Sequence, residues 1–166
     1  MKLPTLLDTR SHSKNIFGDT LKGSYWQEID FWLACLAGVV FWVSFKLLDP
    51  GIPNSPPITH VTTLYILVLV FPILEEIVFR GLIQDSIRKL LENAQLKTIF
   101  LRPISYPNLI ASLCFSMSHM WSHSALWALA TLFPSLVFGY FKDKYQSLYP
   151  PILLHIFYNL GFYIIL

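Results

Sequence analysis

Apolar residues fall into long blocks separated by short polar stretches, not into the alternation of a strand or the narrow stripe of a soluble helix. Five blocks, 29–48, 61–83, 107–122, 125–141 and 149–166, are predicted to be membrane-spanning helices, because a hydrocarbon core of about 30 Å takes about 20 apolar residues per helix. The third and fourth are short for that task. Between the second and third, from Gln84 to Arg102, Ile87, Leu90, Leu91 and Ala94 recur at helical spacing among Arg88, Lys89, Glu92 and Lys97, the pattern of an interfacial helix. Pro50, Gly51, Pro53, Pro56 and Pro57 crowd the segment Asp49 to His60 and predict an exposed turn. No internal repeat is seen. The expected organisation is an all-α bundle of about five spans, with a polar segment 1–28 ahead of a single membrane-embedded domain, 29–166. The first block lacks a small-residue cleavage pattern and reads as a retained anchor.

Basic residues orient the bundle. Lys2, Arg10, Lys14 and Lys22 precede the first block, Arg80, Arg88, Lys89, Lys97 and Arg102 follow the start of the second, and Lys142 and Lys144 follow the fourth. All but Lys46 of the 12 Lys and Arg residues fall on one side, and Lys46 can snorkel to the far interface. The positive-inside rule therefore expects a cytoplasmic N-terminus and an external C-terminus, in a compact form suited to a bacterial inner membrane. Composition agrees: 54% hydrophobic and 13% charged residues, with mean hydropathy +0.53, exclude an ordinary soluble domain. A formal charge of +2 gives no basis for nucleic-acid binding. Cys35 and Cys114, far apart in apolar blocks, form neither a disulfide framework nor a zinc-finger spacing.

Against this background Glu75 and Glu76 are conspicuous, since a carboxylate in hydrocarbon is expensive unless paired or hydrated. Adjacent helical positions are rotated by about 100°, so the two cannot act from one direction, whereas Glu76 and Arg80 stand one turn apart on one face. The simplest division of labour makes Glu76 and Arg80 a structural ion pair and leaves Glu75 to face a polar cavity as a base. A polar clamp of all three near the interface stays open as the alternative. In the third block Phe115 is followed by His119 and, one turn on, by His123; His119 can be packing glue, an acid or base, or a metal ligand, and His123 belongs to the turn. In the last block His155 and Asn159 share a face and can both donate to one oxyanion, while Tyr158 between them reads as packing. A carboxylate to activate water and donors to hold an oxyanion are what amide hydrolysis requires.

Depth tests this grouping. At 1.5 Å per residue, Glu75 lies about 21 Å from the outer edge and His155 about 9 Å from the inner edge, which agree across a 30 Å core. His119 falls about 18 Å from the inner edge. A deeper start of the third helix, a strong tilt, or a hairpin that does not cross completely would each explain the mismatch.

Three motifs in order, Glu75-Glu76 with Arg80, Phe115 with His119, and His155 with Asn159, resemble those of the CPBP or Abi family of membrane proteases that includes the Rce1-like CAAX-processing enzymes. The resemblance spans positions 75 to 159. It implies an intramembrane endopeptidase in which Glu75 activates water with His119 beside it, His155 and Asn159 form the oxyanion site, and Glu76 with Arg80 holds the scaffold. It also implies a membrane-anchored protein substrate, either a prenylated CAAX tail or an apolar C-terminal sorting helix. The family has been described both as glutamate-dependent and as metalloprotease, and zinc would take Glu75, His119 and His155. A His-Glu-x-x-His pattern is absent and an asparagine suits an oxyanion better than zinc, so metal-free chemistry is expected. The competing class is a non-catalytic membrane protein, an immunity factor or chaperone binding a partner's helix through the same residues. A proton-coupled transporter ranks below both, because five spans without a repeat give it little support.

Overall fold

The computed structural model describes residues 25–48, 60–94, 100–101 and 103–165. Lys2, Arg10, Lys14, Lys22, Lys97 and Arg102, and all of the Pro-rich segment but His60, lie outside these residues.

Five helices carry the fold. α1 is Ile29–Leu48, preceded by one tight turn at Tyr25–Gln27. α2 runs continuously over residues 61–93, and α3 is Tyr106–His119. α4 is Ala125–Tyr145, with a turn at Thr131, and α5 is Tyr149–Ile165. The Ile29–Leu47 stretch of α1 and the whole of α4 are long and apolar enough to cross a membrane, and α5 is a shorter apolar helix. The only sheet among the described residues is a two-stranded ribbon, β1 (Phe100–Leu101) and β2 (Ile104–Ser105), paired antiparallel with Leu101 opposite Ile104.

The interfacial helix expected over Gln84 to Arg102 is not a separate element. α2 passes through Gln84 without a break and ends at Asn93, and the ribbon begins at Phe100. Gln84 is fully buried because its amide reaches the Gly139 carbonyl and Asp143, so it belongs to the bundle interior. α3 also stops earlier than expected, at His119, and α4 continues past 141 to Tyr145.

On α2 and α3 the buried face carries polar side chains and the outer face apolar ones. On α2, Glu76, Arg80 and Gln84 are fully buried while Leu74, Val78 and Leu82 are exposed. On α3, Asn108, Ser112 and Ser116 are buried while Ile110, Leu113 and Met117 face outward. This inversion fits a bilayer, where lipid replaces water outside and helices associate through close packing and interhelical hydrogen bonds. α3 lies between α2 and α4, and α5 packs on α4, α2 and α1. The α1–α5 seam is tight: a Cβ on Gly161 would sit 2.2 Å from the Trp42 ring, and one on Gly38 would meet Tyr158 at 2.8 Å.

Two stretches of α2, Ile66–Val70 and Ile77–Gln84, widen to π-helical turns. The first ends just before Pro72, whose ring would clash with the carbonyl four residues back in an α-helix and which has no N–H to give. Phe71 N–H accordingly reaches five residues back to the Ile66 carbonyl. In that register the Leu67 carbonyl would await the N–H that Pro72 lacks. Asn159 of α5 supplies it, its Nδ2 donating to Leu67 O at 3.0 Å.

Arg88, Lys142 and Lys144 gather at one end of the bundle. Arg88 pairs with Asp143, Lys142 with Asp85 at 3.2 Å, and Lys144 with Asp30 at 2.7 Å and Glu28 at 3.2 Å.

Candidate functional site

Side-chain exposure separates the adjacent glutamates. Glu76 is fully buried and Glu75 is 31% exposed. Glu76 Oε2 accepts from Arg80 Nε at 3.3 Å, and its Oε1 lies 2.8 Å from His155 Nδ1. With Arg80 donating to its other oxygen, the Glu76 carboxylate is the acceptor in this contact and His155 donates from Nδ1. The other ring nitrogen, Nε2, then faces Glu75 Oε2 at 3.5 Å. His155 thus bridges the glutamates, with Phe138 stacked on its ring at 4.7 Å and Phe115 at 5.7 Å.

Arg80 is fully buried, and its remaining donors are also engaged. Nη1 reaches Gln84 Oε1 at 3.5 Å and Ser112 Oγ at 3.2 Å, Nη2 donates to Ser135, and the guanidinium lies 5.9 Å from the Phe115 ring centre. Further from the glutamates, Ser112 donates to Asn108 Oδ1 at 3.0 Å and Asn108 Nδ2 donates to Leu136 O at 2.9 Å. Gly139 makes room for this: a Cβ there would fall 1.8 Å from Asn108 Oδ1.

His119 ends α3 with Nδ1 at 2.9 Å from the Phe115 carbonyl, which can only accept. Its Nδ1 is therefore the N–H, and Nε2 is left for other partners. His123 stacks beside it at 6.0 Å. Glu75, His119, His155 and Asn159 all line one cavity of about 990 Å³, whose other walls include Phe41, Trp42, Phe71, Trp127, Phe162 and Tyr163. Most of the lining is aromatic and aliphatic, with Glu75, His119, His155 and Asn159 among its polar groups.

The contacts also place His119 in depth. Ser112 and Phe115 stand level with Arg80 and Phe79, and Ser116 bonds back to the Ala128 carbonyl at 2.7 Å. Trp127, early in α4, packs on Phe45 near the end of α1 and on Phe162 near the end of α5, while α2 continues from Glu75 back to Val61, about 21 Å along the helix. At its other end α3 starts beside the charged cluster, with Ser105 bonded to Asp143.

Sequence reasoning overlooked Gln84, Asn108, Ser112, Ser135 and Asp143. The signal was present as polar residues four apart within apolar blocks, Glu76-Arg80-Gln84 and Asn108-Ser112-Ser116, which put each set on one helix face. The zinc set Glu75, His119 and His155 does not converge: among the described residues no three His, Cys, Asp or Glu side chains form a group able to hold a metal.

The fold is a helical bundle with two helices long and apolar enough to cross a membrane, and Glu75, His119, His155 and Asn159 line one cavity in it. The chain belongs to the Rce1-like family: a family model described as type II CAAX prenyl endopeptidase Rce1-like matches residues 57–161. No curated protein and no solved structure matches the chain.

Proposed function

We propose that this chain is a glutamate-dependent intramembrane endopeptidase that cleaves near the C-terminus of membrane-anchored proteins, with residues 29–166 as one catalytic domain behind the segment 1–28. Glu75 is the base. The observation that carries this reading is the contrast within the pair: Glu76 is sealed between Arg80 and His155, and Glu75 meets the cavity. Glu75 takes a proton from water, the resulting hydroxide adds to the scissile carbonyl, and the proton is returned to the leaving amine. His119 presents Nε2 to the same cavity and can share that transfer. Asn159 polarises the carbonyl with its amide, and His155 does so from Nε2 once that nitrogen carries a proton as well, its Nδ1–H staying on Glu76. One Asn159 N–H is committed to Leu67, and its second N–H is the one available to an oxyanion. Preorganised donors in a site of low dielectric stabilise such a charge more than they would in water.

Family membership and the aromatic walls of the cavity favour a prenylated CAAX-type tail as substrate over an apolar sorting helix. The protein would sit with Arg88, Lys142 and Lys144 toward the cytoplasm, about five spans deep, in a bacterial inner membrane. Detergent-solubilised protein incubated with farnesylated CAAX peptides, their unprenylated forms and apolar sorting-tail peptides, read by mass spectrometry, tests the substrate class. Cleavage of the farnesylated peptides at least ten times faster than of the others is expected. Exclusive cleavage of the apolar tails reassigns the substrate, and binding without any cleavage points to a non-catalytic partner of membrane helices.

A further inference from the structure

A hydrogen-bonded chain of side chains runs from the charged end of the bundle to the candidate site, and every link is buried or nearly so. At its outer end Asp143 accepts from Arg88 and Ser105 and takes Gln84 Nε2 at 2.6 Å. Gln84 Nε2 also donates to the Gly139 carbonyl at 3.2 Å, and Gln84 Oε1 accepts from Arg80 Nη1 at 3.5 Å. Arg80 holds Glu76, and Glu76 holds His155.

The orientation of the Gln84 amide is dictated by its neighbours. Its NH2 faces a carboxylate and a carbonyl, both acceptors, and its oxygen faces a guanidinium, a donor. Turning the amide over would oppose like groups at every contact. Asp143 thus fixes which way Gln84 points, and Gln84 fixes one arm of Arg80. Glu76 is the carboxylate in direct ion-pair contact with Arg80, and its second oxygen is the one that sets the His155 proton on Nδ1. Displacing the guanidinium therefore moves the Glu76–His155 contact.

From this chain of contacts we infer that Gln84 and Asp143 are positioning residues, which set the Glu76–His155 geometry from a distance through Arg80. Neither lines the cavity, and neither touches Glu75, His119 or Asn159. The inference rests on the protease reading only for its catalytic consequence, since the geometric claim is independent of what the site does.

The test uses the full chain in detergent with two readouts. Gln84→Met keeps length and helix propensity while removing both ends of the amide; Asp143→Asn keeps shape at the rim and provides a milder variant should the first fail to fold. Histidine-labelled protein gives the downfield proton of His155 Nδ1–H bonded to Glu76. That signal is expected to move or vanish in Gln84→Met and to shift in Asp143→Asn. With a farnesylated CAAX peptide, kcat is expected to fall about 10- to 100-fold with KM within about twofold, matching a lost positioning contact. The double variant is expected to lose no more than Gln84→Met alone, because both act through one route. An unchanged His155 signal in a folded Gln84→Met protein overturns the inference, as does a lower melting temperature with unchanged kcat. A wild type that cleaves no peptide while the variants still shift the His155 signal removes the protease reading and leaves the positioning claim standing.

Discussion

Arg80 is a fully buried cation with Glu76 as its ion-pair partner, and this makes the pair asymmetric toward mutation. Removing one member of a buried pair leaves an uncompensated charge, at a cost of about 3–5 kcal/mol. Glu76→Gln is therefore expected to lower the thermal unfolding midpoint in detergent markedly, while Glu75→Gln, on the cavity side, leaves it nearly unchanged. Equal midpoints for the two variants would mean that the glutamates do not divide their labour in this way. The adjacency of Glu75 and Glu76 and the i, i+4 relation of Glu76 to Arg80 were legible in the sequence, because helical periodicity alone separates their directions. Arg80's contacts with Ser112 and Ser135 and the Asp143–Gln84 contact were not. They join residues remote in sequence, and one serine in an apolar block carries no sign of its partner.

At the scale of elements, the first π turn of α2 ties a local backbone defect to the last helix. Pro72 withholds an N–H, the Leu67 carbonyl is left over, and Asn159 takes it up. Asn159→Ala should lower stability by about 1–3 kcal/mol, as expected for a buried acceptor left without a partner. Adding Pro72→Ala restores a backbone donor and should recover much of that stability in chemical unfolding without recovering cleavage, since the second N–H of Asn159 remains missing. Recovery of both would assign Asn159 a purely structural role. The α1–α5 seam gives a second expectation: Gly161→Ala drives a methyl into the Trp42 ring and should cost about 1–3 kcal/mol, measured by the unfolding midpoint. Helix positions were read well where apolar blocks end at Pro or at polar turns, as for α1 and the start of α4. Gln84 misled because a polar residue at the end of an apolar block looks interfacial until its partners on α4 are known.

Among the described residues, polar side chains share the interior with an aromatic and aliphatic core, large apolar residues cover the exterior, and Arg88, Lys142 and Lys144 pair with acids at one end. The sequence grouped these three with other Lys and Arg residues, six of which lie outside the described residues. The depth of His119 was left open by the sequence, since span length cannot say how far a helix pair penetrates. A reporter fused after Leu166 is expected to be active outside the cytoplasm, and activity confined to the cytoplasm would invert the proposed topology. The role proposed for Glu75 is to activate water for peptide hydrolysis in the cavity. It is tested most directly by the cleavage rate of a single farnesylated CAAX peptide with wild type and Glu75→Gln, purified side by side and matched for folded fraction. Loss of the base is expected to lower kcat by about 10²–10⁴-fold. A Glu75→Gln protein that cleaves at the wild-type rate would contradict the account.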